Sequence, residues 1–189
     1  VARLNTPRNL NSLSMEMIRL LKPQLTRWAE DERVCAVWLE AEGDKAFCAG
    51  GDIVSLYRSM TEPGKLGEGD QFFTEEYELD YQIHTFPKPI ICWGHGIVMG
   101  GGIGLMVGAT HRVVTEHSKL AMPEVSIGLY PDIGAGWFLN RMPGRIGLFL
   151  GLTGARMNAA DALFTGMADR FVKQELKAQV VDTLVAADW

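Results

Sequence analysis

The chain has 189 residues and a formal net charge of −5, with 47% hydrophobic and 22% charged residues. This balance is that of an ordinary globular protein with one sizeable core, so we expect a single domain over residues 1–189. The mildly acidic charge argues against nucleic-acid binding, which usually needs a basic stripe. No stretch approaches the roughly 20 uninterrupted apolar residues of a membrane span, so no membrane partner is expected.

The cysteines Cys35, Cys48 and Cys92 each lie among apolar neighbours, and their number is odd. We interpret them as buried thiols of a protein from a reducing compartment, which is the cytoplasm or, in a eukaryote, the mitochondrial matrix. Neither a disulfide framework nor a zinc site is expected. The histidines have no metal-ligand spacing, so no metal is predicted.

The first elements predicted in chain order are a strand that ends at residue 4 and a helix capped by Ser14. Apolar residues recur at helical spacing from Met17 to Trp28. Pro23 falls inside this pattern, so a kink or a restart of the helix is expected there. Residues 34–39 (VCAVWL) are nearly all apolar, which predicts a strand of a sheet buried on both faces.

The later elements alternate between helices and strands. A surface loop over 61–70 precedes a helix over 71–84, and a buried strand over 90–93 leads into a glycine-rich run. A buried helix is then predicted over 103–110 and a strand over 112–115, followed by a turn-rich segment over 123–136. The rest of the chain is predicted to be mostly helical, with a break at 153–154. Thr153 or Asn158 is expected to cap a helix there. Strand–helix units in this order indicate an α/β fold with parallel strands.

The glycine-rich run, GHGIVMGGGIGLMVGA over residues 94–109, contains no charged residue. It lacks the Lys-Ser/Thr of a P-loop and the spacing of a dinucleotide fingerprint. A second glycine turn lies at 49–52 (AGGD), and each turn follows a buried apolar stretch. Such loops gather at the carboxyl ends of parallel strands, where two bare backbone N–H groups could form an oxyanion hole. From composition alone, tight turns or close helix–strand contacts are the favoured interpretation of both loops.

Several separated motifs in this order resemble the crotonase (enoyl-CoA hydratase/isomerase) superfamily. They are NxP at 5–7, NxL at 11–13, FCAGGDI at 47–53, GHG at 94–96, MGGG at 99–102, MPE at 122–124 and IG at 127–128. The resemblance implies a spiral of ββα units and a coenzyme A thioester substrate. The thioester oxygen is expected between the N–H groups of Gly51 and Gly101, with Asp52 and Ile53 beside Gly51 as further substrate-binding residues. Asp52 has a second interpretation, in which its carboxylate holds the oxyanion loop by accepting backbone hydrogen bonds.

Hydratases of this superfamily use two glutamates, and the first of those positions is Gly104 here, which cannot transfer a proton. The second position is Glu124, and another acid follows at Asp132 in IGLYPDIG, residues 127–134. Together with FFTEEY at 72–77, GIGL at 102–105 and LTG at 152–154, this segment is similar to the 3-hydroxyisobutyryl-CoA hydrolase family. That resemblance implies substrate contacts by Glu76, Gly101, Glu124 and Asp132.

The implied reaction is hydrolysis of a short 3-hydroxyacyl-CoA thioester, 3-hydroxyisobutyryl-CoA of valine catabolism in particular. Glu124 would act as nucleophile or general base, and Asp132, the second implied catalytic residue, would bind the 3-hydroxyl group and help to move a proton. No cofactor is expected, because coenzyme A is part of the substrate. Two alternatives stay open, an enoyl-CoA isomerase or hydratase-like enzyme that uses Glu124 alone, and a crotonase-fold protein that binds CoA without catalysis. As isolated residues, Glu124 could be a helix cap or surface acid and Asp132 a turn residue.

Members of the resembled family continue well beyond residue 189. We therefore expect this chain to be a fragment that lacks the C-terminal helical part of the fold. In the family, that part would cover the acyl pocket and contribute to assembly. We also expect the protein to form a homo-oligomer. His95 matches a structural element of the superfamily and is interpreted as a partly buried histidine with its hydrogen bonds satisfied.

Overall fold

The computed structural model describes residues 1–187, which form two parallel β-sheets with helices packed around them. The strands are β1 (Ala2–Leu4), β2 (Val37–Ala41), β3 (Ala46–Cys48), β4 (Ile90–Gly94), β5 (Ile97–Met99), β6 (His111–Val114), β7 (Lys119–Ala121) and β8 (Arg170–Phe171). The α-helices are α1 (Met15–Glu30), α2 (Ile53–Thr61), α3 (Glu68–His84), α4 (Gly101–Val107), α5 (Ala135–Phe138), α6 (Ile146–Thr153), α7 (Ala159–Thr165) and α8 (Lys177–Val185). Short 3-10 helices cover Pro7–Asn9, Glu124–Ile127, Leu139–Arg141 and Gln174–Leu176.

From β2 to β7, successive strands alternate between the two sheets. The larger sheet has the order β1-β2-β4-β6-β8 and the smaller sheet the order β3-β5-β7, and neighbouring strands are parallel in both. A strand of each sheet therefore precedes each helical segment, which makes the repeating unit ββα. This arrangement confirms the predicted α/β fold and its spiral of ββα units.

The helices α3 and α4 lie beside the glycine loops that follow β3 and β5. Helix α4 packs against β3 and β5 of the smaller sheet and against α3. Helix α3 packs in turn against α1 and α2. Side chains of α3 that face α4 are consequently directed toward the glycine loops that follow β3 and β5.

The smaller sheet lies outside the predicted elements, because a strand of three residues is too short to show a hydrophobic period. The prediction of a strand over 34–39 is also displaced, since β2 spans Val37–Ala41. The cause is Glu40, whose charge interrupts the apolar pattern although its carboxylate is buried. That carboxylate accepts from Arg3 at 2.6 Å and from Lys177 at 2.7 Å, and these partners make burial of the charge possible.

Among the helices, the predicted cap is confirmed, because the hydroxyl of Ser14 accepts from the N–H of Met17 at 3.2 Å. The prediction of a restart at Pro23 is wrong, since α1 continues through that residue as one helix. Helix α3 begins at Glu68, so the loop predicted over 61–70 is shorter than expected. The cap at Asn158 is confirmed, and it forms a reciprocal capping box with Asp161.

The burial of the cysteines differs from the prediction at one residue. Cys48 and Cys92 are buried, but Cys35 is exposed because it precedes β2 and lies outside the sheet. Within residues 1–187, none of the helices combines the length and apolar character needed to cross a membrane.

Candidate active site

Three loops meet at the carboxyl edge of the smaller sheet, one after each of its strands. The loop after β3 contains Gly50 and Gly51, the loop after β5 contains Gly100, and the loop after β7 leads to Glu124. Because β3, β5 and β7 are parallel neighbours, their carboxyl ends lie at the same edge. This is the edge at which α/β sheets bind ligands.

The loop after β3 leaves the backbone N–H of Gly51 unused by the sheet. Gly51 forms a parallel bridge with Leu13, in which the N–H of Leu13 donates to the carbonyl of Gly50 at 2.8 Å and the N–H of Asp52 donates to the carbonyl of Leu13 at 2.9 Å. The bridge therefore uses the carbonyl of Gly50 and the N–H of Asp52, and it does not use the N–H of Gly51. Gly50 has a φ of 109°, a left-handed conformation that favours glycine.

The loop after β5 leaves the N–H of Gly101 without an intrahelical partner, because Gly101 is the first residue of α4. The carbonyl of Gly100 accepts from the backbone N–H of Ile103 at 2.7 Å and from the backbone N–H of Gly104 at 3.2 Å. A β-carbon added to Gly101 would lie 3.4 Å from the backbone nitrogen of Gly51. The two glycines predicted as oxyanion-hole residues are thus close neighbours in space.

Glu76 of α3 is buried, and its carboxylate contacts Gly101 directly. Burial raises the pKa of Glu76 to about 8, and the negative charges of Asp132 and Glu124 contribute to the increase. At pH 7 this carboxyl group is therefore mainly protonated and can donate a hydrogen bond. The structure places Glu76 where the resemblance predicts a substrate contact, although the contact itself stays a prediction.

Glu124 begins the 3-10 helix that follows β7, and its side chain is 6% exposed. Its Oε1 would lie 3.0 Å from a β-carbon on Gly100, and its buried Oε2 has no hydrogen-bond partner among the described residues. Burial raises the pKa of Glu124 to about 7, a backbone hydrogen bond opposes this increase, and the charge of Asp132 adds to it. A carboxyl group with this pKa can accept a proton near neutral pH.

Asp132 lies in the loop between the 3-10 helix Glu124–Ile127 and α5. Its Oδ2 accepts from the hydroxyl of Tyr77 at 2.6 Å, and its side chain is half-buried. It lines a cavity of about 670 Å³ that lies mainly between α3, α4 and the segment over 130–138. Asp132 therefore borders an open volume together with Tyr77 and Asp80 of α3.

Asp80 was not among the residues singled out from the sequence, but it belongs to the same group of acids. Its two carboxylate oxygens would lie 2.7 and 2.8 Å from a β-carbon on Gly104, and both are buried without a hydrogen-bond partner among residues 1–187. Burial raises the pKa of Asp80 well above its usual range, with contributions from the charges of Glu76 and Asp132. Asp80 follows Glu76 by four residues, and residues at this spacing lie on the same face of a helix. This spacing is the feature of the sequence from which Asp80 could have been predicted.

The predicted binding residues Asp52 and Ile53 lie at the start of α2. The carboxylate of Asp52 accepts from the N–H of Ser55 at 3.2 Å and from its hydroxyl at 2.6 Å, so it caps the helix. The alternative role for Asp52 in holding the oxyanion loop is therefore not supported by its side-chain contacts. Ile53 is 54% exposed and free to contact a ligand.

His95 is more deeply buried than predicted. It is 1% exposed, and its Nε2 pairs with the carbonyl of Gly43 at 2.7 Å. Its Nδ1 has no partner among the described residues, so only half of its hydrogen-bonding capacity is satisfied. Among the described residues, no three or more His, Cys, Asp or Glu side chains are arranged to hold a metal ion.

Comparison with known proteins places these features in a family. The family model described as Enoyl-CoA hydratase/isomerase matches residues 1–189. Two curated relatives named 3-hydroxyisobutyryl-CoA hydrolase, mitochondrial, are 46% identical over 188 residues in Xenopus tropicalis and 44% identical over 186 residues in Homo sapiens. Each alignment covers 98% of this chain and 48% of the relative, so the chain spans about half the length of these proteins.

Solved structures show the same relationship. An enoyl-CoA hydratase from Rhodobacter sphaeroides 2.4.1 superposes with a TM-score of 0.91 and 44% identity, covering 96% of this chain and 54% of that one. A carnitinyl-CoA dehydratase from Mycobacterium thermoresistibile superposes with a TM-score of 0.93 and 40% identity, covering 97% of this chain and 54% of that one.

Proposed function

Because the chain belongs to the enoyl-CoA hydratase/isomerase family, we propose that it hydrolyses the thioester bond of a short 3-hydroxyacyl-CoA, with 3-hydroxyisobutyryl-CoA of valine catabolism as the substrate. The observation that carries this proposal is the convergence of three loops at one sheet edge. They bring together the buried carboxyl group of Glu124 and the N–H groups of Gly51 and Gly101, which donate no hydrogen bond among residues 1–187.

The thioester oxygen lies between the N–H groups of Gly51 and Gly101 in the proposed complex. As the carbonyl carbon becomes tetrahedral, negative charge develops on that oxygen, and the two donors stabilise it. Preorganised backbone donors of this kind lower a barrier by about 3–4 kcal/mol each. Neither residue has a side chain that would occupy the position of the oxygen. Glu76, protonated at pH 7 and beside Gly101, supplies a further donor to the substrate.

Glu124 promotes the attack on the carbonyl carbon by one of two routes. In one, its carboxylate attacks, the C–S bond breaks, CoA leaves as a thiolate that takes up a proton, and water then cleaves the mixed anhydride. In the other, Glu124 removes a proton from water as the water oxygen attacks, and the departing thiolate receives that proton. Both routes release free CoA thiol and a carboxylic acid, and neither requires a cofactor or a metal.

Asp132 recognises the 3-hydroxyl group in this proposal. Its Oδ2 is occupied by Tyr77, and its Oδ1 accepts no hydrogen bond among the described residues, so Oδ1 is available to the substrate hydroxyl. A site that pairs a hydroxyl group with a carboxylate rejects acyl groups that lack the hydroxyl. The proposed location is a reducing compartment, the mitochondrial matrix in a eukaryote, in keeping with the mitochondrial relatives.

The test is release of free thiol from 3-hydroxyisobutyryl-CoA, with crotonyl-CoA and a 3-enoyl-CoA measured in parallel. Glu124→Gln removes the proposed base, and Glu16→Gln changes an exposed glutamate of α1 as the matched control. We expect thiol release that is lost in the first variant and kept in the second. Migration or hydration of the double bond without thiol release would make the protein an isomerase or a hydratase-like enzyme. Binding of acyl-CoA without any turnover would make it a non-catalytic CoA-binding protein.

A further inference from the structure

Tyr77 forms the one hydrogen bond that the described part of the chain makes to the carboxylate of Asp132. The bond joins α3 to a loop 55 residues away, and its length of 2.6 Å is that of a hydroxyl donating to a charged oxygen. Tyr77 directly follows Glu76 in α3, so the same turn of helix carries both a group beside Gly101 and a group that holds Asp132.

The backbone after Asp132 is in a conformation that bulky residues rarely adopt. Ile133 has a φ of 45°, which is unfavourable for a β-branched residue, and its side chain is nevertheless buried with 5% exposure. The N–H of Ala135 also donates to the carbonyl of Asp132 at 2.6 Å. Burial of Ile133 and this hydrogen bond fix the direction in which the side chain of Asp132 leaves the loop.

Electrostatic repulsion opposes the position that Asp132 occupies. Of the nearby acids, Glu124 has a pKa of about 7 and in its charged form repels Asp132, whereas the raised pKa values of Glu76 and Asp80 keep these two groups mainly protonated at neutral pH. The hydroxyl of Tyr77 stabilises the charge of Asp132 by donating to Oδ2. Oδ1 accepts no hydrogen bond among the described residues, and Asp132 lines the cavity.

We infer that Tyr77 is a positioning residue that holds Asp132 ready to accept a hydrogen bond from the 3-hydroxyl group of the acyl substrate. This inference rests on the proposed function and adds a determinant of acyl specificity to it. The hydroxyl of Tyr77 acts through Asp132 and does not contact the reacting atoms. Its removal therefore affects substrates that carry the 3-hydroxyl group and spares substrates that lack it.

The experiment compares Tyr77→Phe with Tyr81→Phe, a matched control one turn farther along α3. Tyr81 also faces the cavity, but its hydroxyl forms no hydrogen bond among the described residues. We expect kcat/KM for 3-hydroxyisobutyryl-CoA to fall about tenfold in Tyr77→Phe, as for loss of one hydrogen bond to a charged group, with less than about a twofold change for isobutyryl-CoA. Tyr81→Phe should keep the ratio between the two substrates.

A second measurement reads the same interaction without turnover. In the Glu124→Gln background, calorimetry compares the Kd of 3-hydroxyisobutyryl-CoA and isobutyryl-CoA with Tyr or Phe at position 77. A selective loss of affinity for the hydroxylated ligand supports the inference, even if the wild-type protein releases no thiol and the proposed hydrolysis fails. Equal losses for both ligands, or no loss for either, would overturn the assignment of Tyr77.

Discussion

The carboxylate of Glu76 fills the space in which any side chain on Gly101 would have to lie. The φ of Gly101 is within the range of ordinary residues, so the backbone itself would accept alanine. The need for glycine at this position is therefore steric and comes from α3. A carboxyl oxygen of Glu76 and the backbone nitrogen of Gly51 both lie within 3.4 Å of the position that a β-carbon on Gly101 would take.

The first prediction is that Gly101→Ala lowers kcat for thiol release by at least about 100-fold, the size expected for loss of one oxyanion-hole donor. The added methyl group would meet the carboxyl group of Glu76 and lie 3.4 Å from the nitrogen of Gly51, so Glu76 or the backbone at Gly101 would have to shift beside the proposed donors. Gly136→Ala is the control, because a β-carbon there meets no atom within 4 Å. Near-normal kcat in Gly101→Ala would remove this glycine from the oxyanion hole.

The second prediction concerns the pH dependence of catalysis. Both routes proposed for Glu124 need its charged form, and its pKa is about 7. We therefore expect kcat/KM to increase as the pH rises through about 7 and to level off above it. The measurement is a pH profile of thiol release between pH 5 and 9. A profile already flat from pH 5 upward would contradict either the raised pKa of Glu124 or its proposed catalytic role.

The two glycine loops after β3 and β5 and the place of Glu124 after β7 were predictable from the sequence because their determinants are local. Gly50 and Gly100 have φ values of 109° and 49°. A positive φ favours glycine, so a glycine in the sequence is a direct sign of a turn at each of these positions. Glu124 follows Pro123 in the short motif MPE, and this motif begins directly after the end of β7. The resemblance to a family then supplied the order of these motifs along the chain.

Asp80 and Tyr77 were not predictable in the same way, because tertiary packing gives each its meaning. Asp80 matters through its contact with Gly104 on a different helix, and Tyr77 through a hydrogen bond to Asp132 across 55 residues. The displaced prediction of β2 has a similar cause. Glu40 is buried there only because Arg3 and Lys177, from distant parts of the chain, pair with it.

The third prediction is that Glu76→Gln stabilises the protein at high pH. The pKa of Glu76 is about 8 when folded, above its ordinary value of 4.5, so the folded state binds the extra proton. The contribution of this group to stability is present in acid and is lost as the pH rises from about 4.5 to about 8. At pH 9 the variant should gain on the order of 2–4 kcal/mol in the free energy of unfolding, since one pKa unit corresponds to about 1.4 kcal/mol.

Urea denaturation at pH 5 and pH 9 measures this gain as the difference between the variant and the wild type. Asp80→Asn should change stability in the same direction, because burial raises the pKa of Asp80 as well. The exposed Glu16→Gln variant should follow the wild type at both pH values. An equal difference between Glu76→Gln and wild type at the two pH values would show that Glu76 is not protonated by folding.

The fourth prediction is that Asp132→Asn removes the preference for hydroxylated acyl groups. Aspartate has two acceptor oxygens, of which Tyr77 occupies Oδ2, whereas asparagine has only one oxygen and Tyr77 would occupy it. The amide nitrogen would then face the substrate, and the proton of the 3-hydroxyl group would lose its acceptor. We expect the ratio of kcat/KM for 3-hydroxyisobutyryl-CoA over isobutyryl-CoA to fall about 10- to 100-fold, as for loss of a hydrogen bond to a charged group. Because the proposed position of the thioester is at Gly51 and Gly101, hydrolysis of isobutyryl-CoA should change little. An unchanged ratio would exclude Asp132 from recognition of the acyl group.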